Sequence, residues 1–182
     1  PKLWWPAGQG DQHLYDCTLV IHDGSGSKRI QKNGKFGIRT IRLAQDPDEY
    51  GSTFQFMVNE KPVFMKGSNL VPSDALMLYA RDPDSYILSL KESNFNMVRI
   101  WGGGTYESDA FYQACDKYGI LVWQDFMFAC GMYPGDEEFM ENVRQEATEQ
   151  VTRLSGHACI ALWCGNNENH EGWERWGWQL TL

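Results

Sequence analysis

Up to about residue 60 the apolar positions recur every second residue. Tyr15, Cys17, Leu19 and Ile21 alternate with Asp16, Thr18, Val20 and His22, which predicts a strand with one buried and one mostly polar face. The run Asp23-Gly24-Ser25-Gly26-Ser27 predicts a turn. A second alternating stretch from Phe36 through Ile38 and Thr40 changes phase at Ile41 and Leu43, as a bulge would make it do. After Asp46-Pro47-Asp48, Phe54, Phe56 and Val58 run into Asn59-Glu60-Lys61-Pro62 and leave through Val63-Phe64-Met65. That is the pattern of a hairpin leading into a new domain. Antiparallel strands of this kind belong to a sandwich.

From residue 63 the pattern changes: short apolar runs alternate with amphipathic helices. Val63 to Lys66, Met97 to Trp101, Ile120 to Trp123 and Ile160 to Trp163 are too short for buried helices and predict strands. Asp82-Pro83 supplies an N-cap followed by proline at the first helical position, opening a helix to about Asn94. Phe111, Cys115 and Tyr118 mark a second helix closed by Gly119, and Phe139, Val143, Ala147, Val151 and Leu154 mark a third. Four strands alternating with three helices predict an α/β unit with a parallel sheet, either a barrel or an open doubly wound sheet. In both, chemistry gathers at the C-terminal ends of the strands.

Composition narrows the partners. With 182 residues, 22% charged and 42% hydrophobic, the chain suits a packed protein and not a disordered one. A net charge of −8 opposes nucleic acid and anionic membranes, both of which need a basic stripe, so a neutral small molecule or polymer is expected. No run reaches the roughly 18 apolar residues of a membrane helix. The chain opens on Pro1 with no signal peptide and no initiator Met, which suggests an upstream portion. Eight tryptophans suit sugar stacking as well as core packing. The five cysteines, Cys17, Cys115, Cys130, Cys159 and Cys164, are odd in number and lack CxxC spacing; they read as buried thiols.

Polar and acidic residues collect just past each predicted strand: Gly67-Ser68-Asn69 with Asp74 nearby, Arg99 and Trp101 before Gly102-Gly103-Gly104, Gln124-Asp125, and Gly165-Asn166-Asn167-Glu168. A carboxyl that follows an apolar strand can be partly desolvated and stay protonated, which makes Glu168 a candidate general acid, or else a loop acid. Asn167 is placed to bind a sugar hydroxyl or to tie down the loop. The triple glycine lacks GK[ST] and GxGxxG patterns, so it reads as a sharp turn and not as a phosphate cradle. His157 and His170 are not at zinc-ligand spacing with the cysteines, and no metal is expected. Trp173, Trp176 and Trp178 suit a sugar subsite or an ordinary helix stripe. The residues alone lead to a carbohydrate-directed enzyme or binding module.

Six runs, taken in order, carry a resemblance: Leu3-Trp4-Trp5-Pro6; Phe36-Gly37-Ile38-Arg39; Lys66-Gly67-Ser68-Asn69; Val98-Arg99-Ile100-Trp101-Gly102-Gly103-Gly104-Thr105-Tyr106-Glu107; Trp123-Gln124-Asp125-Phe126-Met127-Phe128-Ala129-Cys130; and Trp163-Cys164-Gly165-Asn166-Asn167-Glu168. Together they resemble glycoside hydrolase family 2, and the last three resemble its β-mannosidase branch. The resemblance implies that residues 1–56 end an immunoglobulin-like β-sandwich and that residues 57–182 form the first half, about four strands, of a (β/α)8 barrel. It implies Glu168 as general acid/base, Asn167 as its sugar-contacting neighbour, and Trp101 and Trp176 lining a mannose subsite with Asp74 also at the rim. Arg99 would support the catalytic carboxylates, with Asp125 and Glu107 at the ends of the third and second strands.

The implied reaction is cofactor-free, retaining removal of terminal β-mannose from oligosaccharides. The family's nucleophile comes from a seventh barrel strand and a further mannose-contacting acid from an N-terminal domain, so these 182 residues alone are expected not to turn over substrate. An open half barrel would expose strand edges, so the isolated piece is expected to need the rest of its parent chain or to self-associate. Another specificity of the family, such as exo-β-glucosaminidase, and a non-catalytic carbohydrate-binding module are the alternatives. One departure stands out: Ser155-Gly156-His157-Ala158-Cys159 replaces the usual Arg-Asn-His-Pro-Ser. Free thiols fit the cytoplasm, whereas glycan-degrading enzymes are commonly periplasmic, secreted or lysosomal, so localisation stays open.

Overall fold

The computed structural model describes residues 1–72 and 82–180. Its first element is an antiparallel hairpin of β1 (Tyr15–His22) and β2 (Lys28–Phe36), with Tyr15 opposite Phe36. Strand β3 (Ile41–Ala44) follows, then a small hairpin of β4 (Pro47–Asp48) and β5 (Gly51–Ser52). Strands β6 (Gln55–Val58) and β7 (Lys61–Val63) form the predicted hairpin and join β3 in an antiparallel sheet of order β3-β6-β7. Asn59 and Glu60 turn it with positive φ.

A parallel sheet then assembles strictly in chain order: β8 (Gly67–Leu70), α1 (Pro83–Glu92), β9 (Met97–Ile100), α2 (Asp109–Tyr118), β10 (Leu121–Asp125), α3 (Glu137–Leu154) and β11 (Ile160–Cys164). The short helix α4 (Asn169–Arg175) and a 3₁₀ turn at Trp178–Leu180 close the described chain. The helix starts follow their side-chain chemistry. Asp82, Ser108 and Asp136 accept hydrogen bonds from the amides of Ser85, Phe111 and Phe139 respectively, satisfying donors that no helix can satisfy internally. Gly119 ends α2 in the left-handed conformation.

Two apolar clusters divide the sheet. On one face Val98, Ile100 and Val122 pack against Ile87 of α1 and Phe111, Tyr112 and Cys115 of α2. The other cluster joins Trp4, Phe56, Val58 and Val63 to Met97, Leu121 and Ala158, which lie at or beside the starts of parallel strands. The antiparallel sheet therefore caps the end opposite the candidate rim. Polar links reinforce this seam: Trp4 Nε1 donates to the Asp116 carbonyl (2.7 Å), and Arg39 donates to the carbonyls of Ala158 (3.0 Å) and Ile160 (2.5 Å).

Several expectations need correction. The first parallel strand is Gly67–Leu70 and not Val63 to Lys66. Val63 is instead buried with the hairpin, and β8 begins at Gly67, which pairs with Met97 and must be glycine because a Cβ there would lie 1.8 Å from the Met97 carbonyl oxygen. Beta structure stops at Phe36 and resumes at Ile41, so residues 37–40 form no strand. Glycine at 37 abuts Trp4 and Ala158, and Arg39 is drawn away to the carbonyls of Ala158 and Ile160 at the start of β11. The alternating face of β1 is not buried: Leu19 is 58% and Ile21 46% exposed, because no described element covers the hairpin. Of the cysteines only Cys115 and Cys159 are buried; Cys17 and Cys130 are exposed. Along α3, Leu154 alone is buried, although the predicted span is right.

The departure at residues 155–159 proves well tied down. Asp116 holds it with both carboxylate oxygens, one 2.6 Å from His157 Nδ1 and the other accepting from the Cys159 amide at 2.8 Å. Ligand atoms of Asp116, His157 and Cys159 thus lie within 4.8 Å of one another, which the sequence spacing did not suggest. Their hydrogen bonds account for the arrangement. Among the described residues no helix is long and apolar enough to cross a membrane.

Candidate active site

The C-terminal ends of β9, β10 and β11 meet at Arg99, Asp125 and Asn167. Asp125 is fully buried, and Arg99 grips it with two parallel bonds, Nε to Oδ1 at 3.1 Å and Nη2 to Oδ2 at 2.7 Å. Such a fork is the geometry guanidinium offers and ammonium does not. The Gly102 amide also donates to Asp125 Oδ2 (3.1 Å). Only glycine fits there, since a Cβ would sit 2.6 Å from both the Phe126 and Phe128 carbonyl oxygens.

Arg99 reaches onward. Its Nη2 donates to Asn167 Oδ1 at 2.8 Å and its Nη1 to Asn69 Oδ1 at 3.4 Å. Because the guanidinium has no acceptor, Asn167 must turn its oxygen toward Arg99 and its Nδ2 the other way. That Nδ2 donates to Glu168 Oε2 (3.2 Å) and to Cys130 Sγ (3.3 Å). The backbone agrees: Asn167 N donates to the Phe128 carbonyl and Cys130 N to the Asn167 carbonyl, bridging the loop after β10 to that after β11. Tyr133 Oη accepts from the Ala129 amide at 2.9 Å and steadies the same loop.

Glu168 stands at the N-terminus of α4 with φ 62°, ψ 11°, and its side chain is exposed. The expected partial desolvation is therefore absent among the described residues, because β11 ends before Glu168 and nothing there roofs it. Trp101 is half-buried with its ring over Gly103, and Trp176 is 50% exposed and edge-on to Trp178 at 5.8 Å. Beside Arg99 a cleft of about 420 Å³ is lined by Met65, Ser68, Asn69, Met97 and Trp123. Asp74 lies outside the described residues. Sequence reasoning missed Cys130 as a site residue; its place in the loop directly after β10, at the C-terminal end of the sheet, was the available signal.

Glu107 makes no hydrogen bond to the Arg99, Asp125, Asn167 and Glu168 group. Half-buried before α2, its carboxyl is pushed above the usual range by desolvation, with the Ser108 amide opposing. A raised folded value means that the folded state holds its proton longer, so stability falls as pH rises from the unfolded to the folded value. Glu107→Gln is expected to raise the thermal midpoint of the full-length protein at pH 7, with the gain gone below about pH 4. A gain that persists unchanged in acid would show that charge burial is not the cause.

No family model matches the chain. It is 46% identical to the β-mannosidase of Capra hircus over 184 aligned residues, which cover 99% of this chain and 21% of that protein. The β-D-mannosidase of Dictyoglomus thermophilum superposes with a TM-score of 0.89 at 47% identity, over 94% of this chain and 22% of that one. An exo-chitosanase of Amycolatopsis orientalis superposes at 0.76 with 25% identity, over 90% and 20%. Over nearly its whole length the chain is similar to the β-mannosidases of glycoside hydrolase family 2. Within it, the segment is β-mannosidase-like, and it spans about one fifth of the length of the curated relatives it matches.

Proposed function

We propose that this chain is part of a retaining exo-β-mannosidase in which Glu168 is the general acid/base. Residues 57–182 would be the first half of a (β/α)8 barrel and residues 1–56 the end of an immunoglobulin-like sandwich, with β6 spanning the boundary between them. The observation that carries this is the hydrogen-bonded line Asp125, Arg99, Asn167, Glu168, which crosses the ends of three consecutive parallel strands. Enzymes of barrel architecture build their sites at that end.

In this reading Glu168 gives its proton to the departing glycosidic oxygen while a second carboxylate, about 5 Å away, attacks the anomeric carbon. Glu168 then takes a proton from the water that releases the sugar. The second carboxylate belongs to another part of a longer protein, as does any roof that dries the site. Asn167, with its Oδ1 on Arg99 and its Nδ2 on Glu168 and Cys130, fixes the carboxyl beside the sugar, while Trp101 and Trp176 present flat apolar faces suited to a pyranose. No cofactor enters the chemistry.

The test is hydrolysis of a panel of aryl β-glycosides by the full-length protein. The β-mannoside is expected to be cleaved with the highest kcat/KM. Preference for a β-glucosaminide, the sugar class suggested by the exo-chitosanase likeness, would overturn the specificity and leave the acid/base assignment standing.

A further inference from the structure

Cys130, Asn167 and Glu168 form a triangle in which each touches the other two. The Cys130 thiol is 3.3 Å from Glu168 Oε2, and Asn167 Nδ2 lies 3.3 Å from the sulfur and 3.2 Å from the same Oε2. Two corners stand in the left-handed region, Cys130 at φ 48° and Glu168 at φ 62°. Neither is a residue that adopts it readily. The bonds from Asn167 N to Phe128 O and from Cys130 N to Asn167 O hold the two loops in that arrangement.

We infer that Cys130 is a positioning residue for the proton donor: its thiol, with Asn167 Nδ2, occupies Glu168 Oε2, so that the transferable proton resides on Oε1. An oxygen that accepts two donors cannot also carry a proton aimed at a third group without losing one of them. With Asn167 fixed by Arg99, the thiol is the remaining group that decides which way the carboxyl faces. Desolvation and the hydrogen bond to Glu168 push the Cys130 thiol above its ordinary value, so it serves as the protonated donor at neutral pH. The inference rests on the acid/base assignment of Glu168.

The experiment compares Cys130→Ala, Cys130→Ser and Glu168→Gln in the full-length enzyme, on one aryl β-mannoside whose leaving group needs protonation and one whose leaving group does not. Cys130→Ala is expected to lower kcat/KM on the first about three- to tenfold, the size of one hydrogen bond, and to change the second by less than about twofold. Cys130→Ser, which keeps a hydroxyl donor, is expected to recover most of that loss. Equal losses on both substrates, no loss on either, or a serine variant no better than alanine would overturn the positioning role. If Glu168→Gln itself spares the demanding substrate, the acid/base assignment has failed instead, which separates the two outcomes.

Discussion

Glu168→Gln in the full-length enzyme is expected to lower kcat/KM about 10²- to 10⁴-fold on substrates with poor leaving groups. The substitution keeps the side chain's length and an oxygen for Asn167 Nδ2 and the Cys130 thiol, so the triangle survives and only the transferable proton is lost. The loss should shrink as the leaving group improves, because a stable phenolate departs without protonation. The same variant is expected to stall at the glycosyl-enzyme, where water needs a general base, and an anionic nucleophile such as azide should then restore turnover. Glu168→Gln activity within about tenfold of wild type on an alkyl β-mannoside would remove Glu168 from the chemistry.

The second large effect is structural. Asp125→Ala is expected to cost about 3–5 kcal/mol of stability, because it leaves the Arg99 guanidinium facing a buried void and the Gly102 amide without an acceptor. Arg99 is 24% exposed and Asp125 0%, so water screens this pair little. The exposed pair Lys117 and Asp84 is the control: solvent screens it, and Asp84→Ala is expected to cost far less than Asp125→Ala. Activity should fall further than stability explains, since freeing Arg99 also frees Asn167, and a displacement of about 1 Å at a site can cost on the order of 100-fold. Denaturant unfolding of both variants decides the matter; equal costs would mean that the buried pair holds nothing together.

Much of the parallel unit was legible before any coordinates. Short apolar runs, the capping residue at 82 and the glycine at 119 are local signals, and most of the strands and helices fall within a few residues of them. The misplaced first strand has a non-local cause. By pattern Val63 to Lys66 is the strand and Gly67 to Asn69 its polar end, and the actual choice follows from Gly67 pairing with Met97 across 30 residues of chain. The same holds for the end of β2, where the pull on Arg39 comes from carbonyls more than a hundred residues away.

For the site, the sequence by itself determined which strand each polar residue goes with but not its exact place: Asn69, Arg99 and Asp125 fall inside β8, β9 and β10 near their C-terminal ends, and only Asn167 and Glu168 stand past β11 as expected. It also carried the family likeness through runs such as Trp163 to Glu168. The tertiary structure decided how these residues are coupled. The direction of the Asn167 amide follows from Arg99, the grip on Arg99 from the burial of Asp125, and the partnership of Cys130 with Glu168 from two loops joined by the backbone bonds of Asn167 to Phe128 and Cys130. Hydrogen bonds of that span have no local signature, since what fixes them is the order in which parallel strands lie side by side.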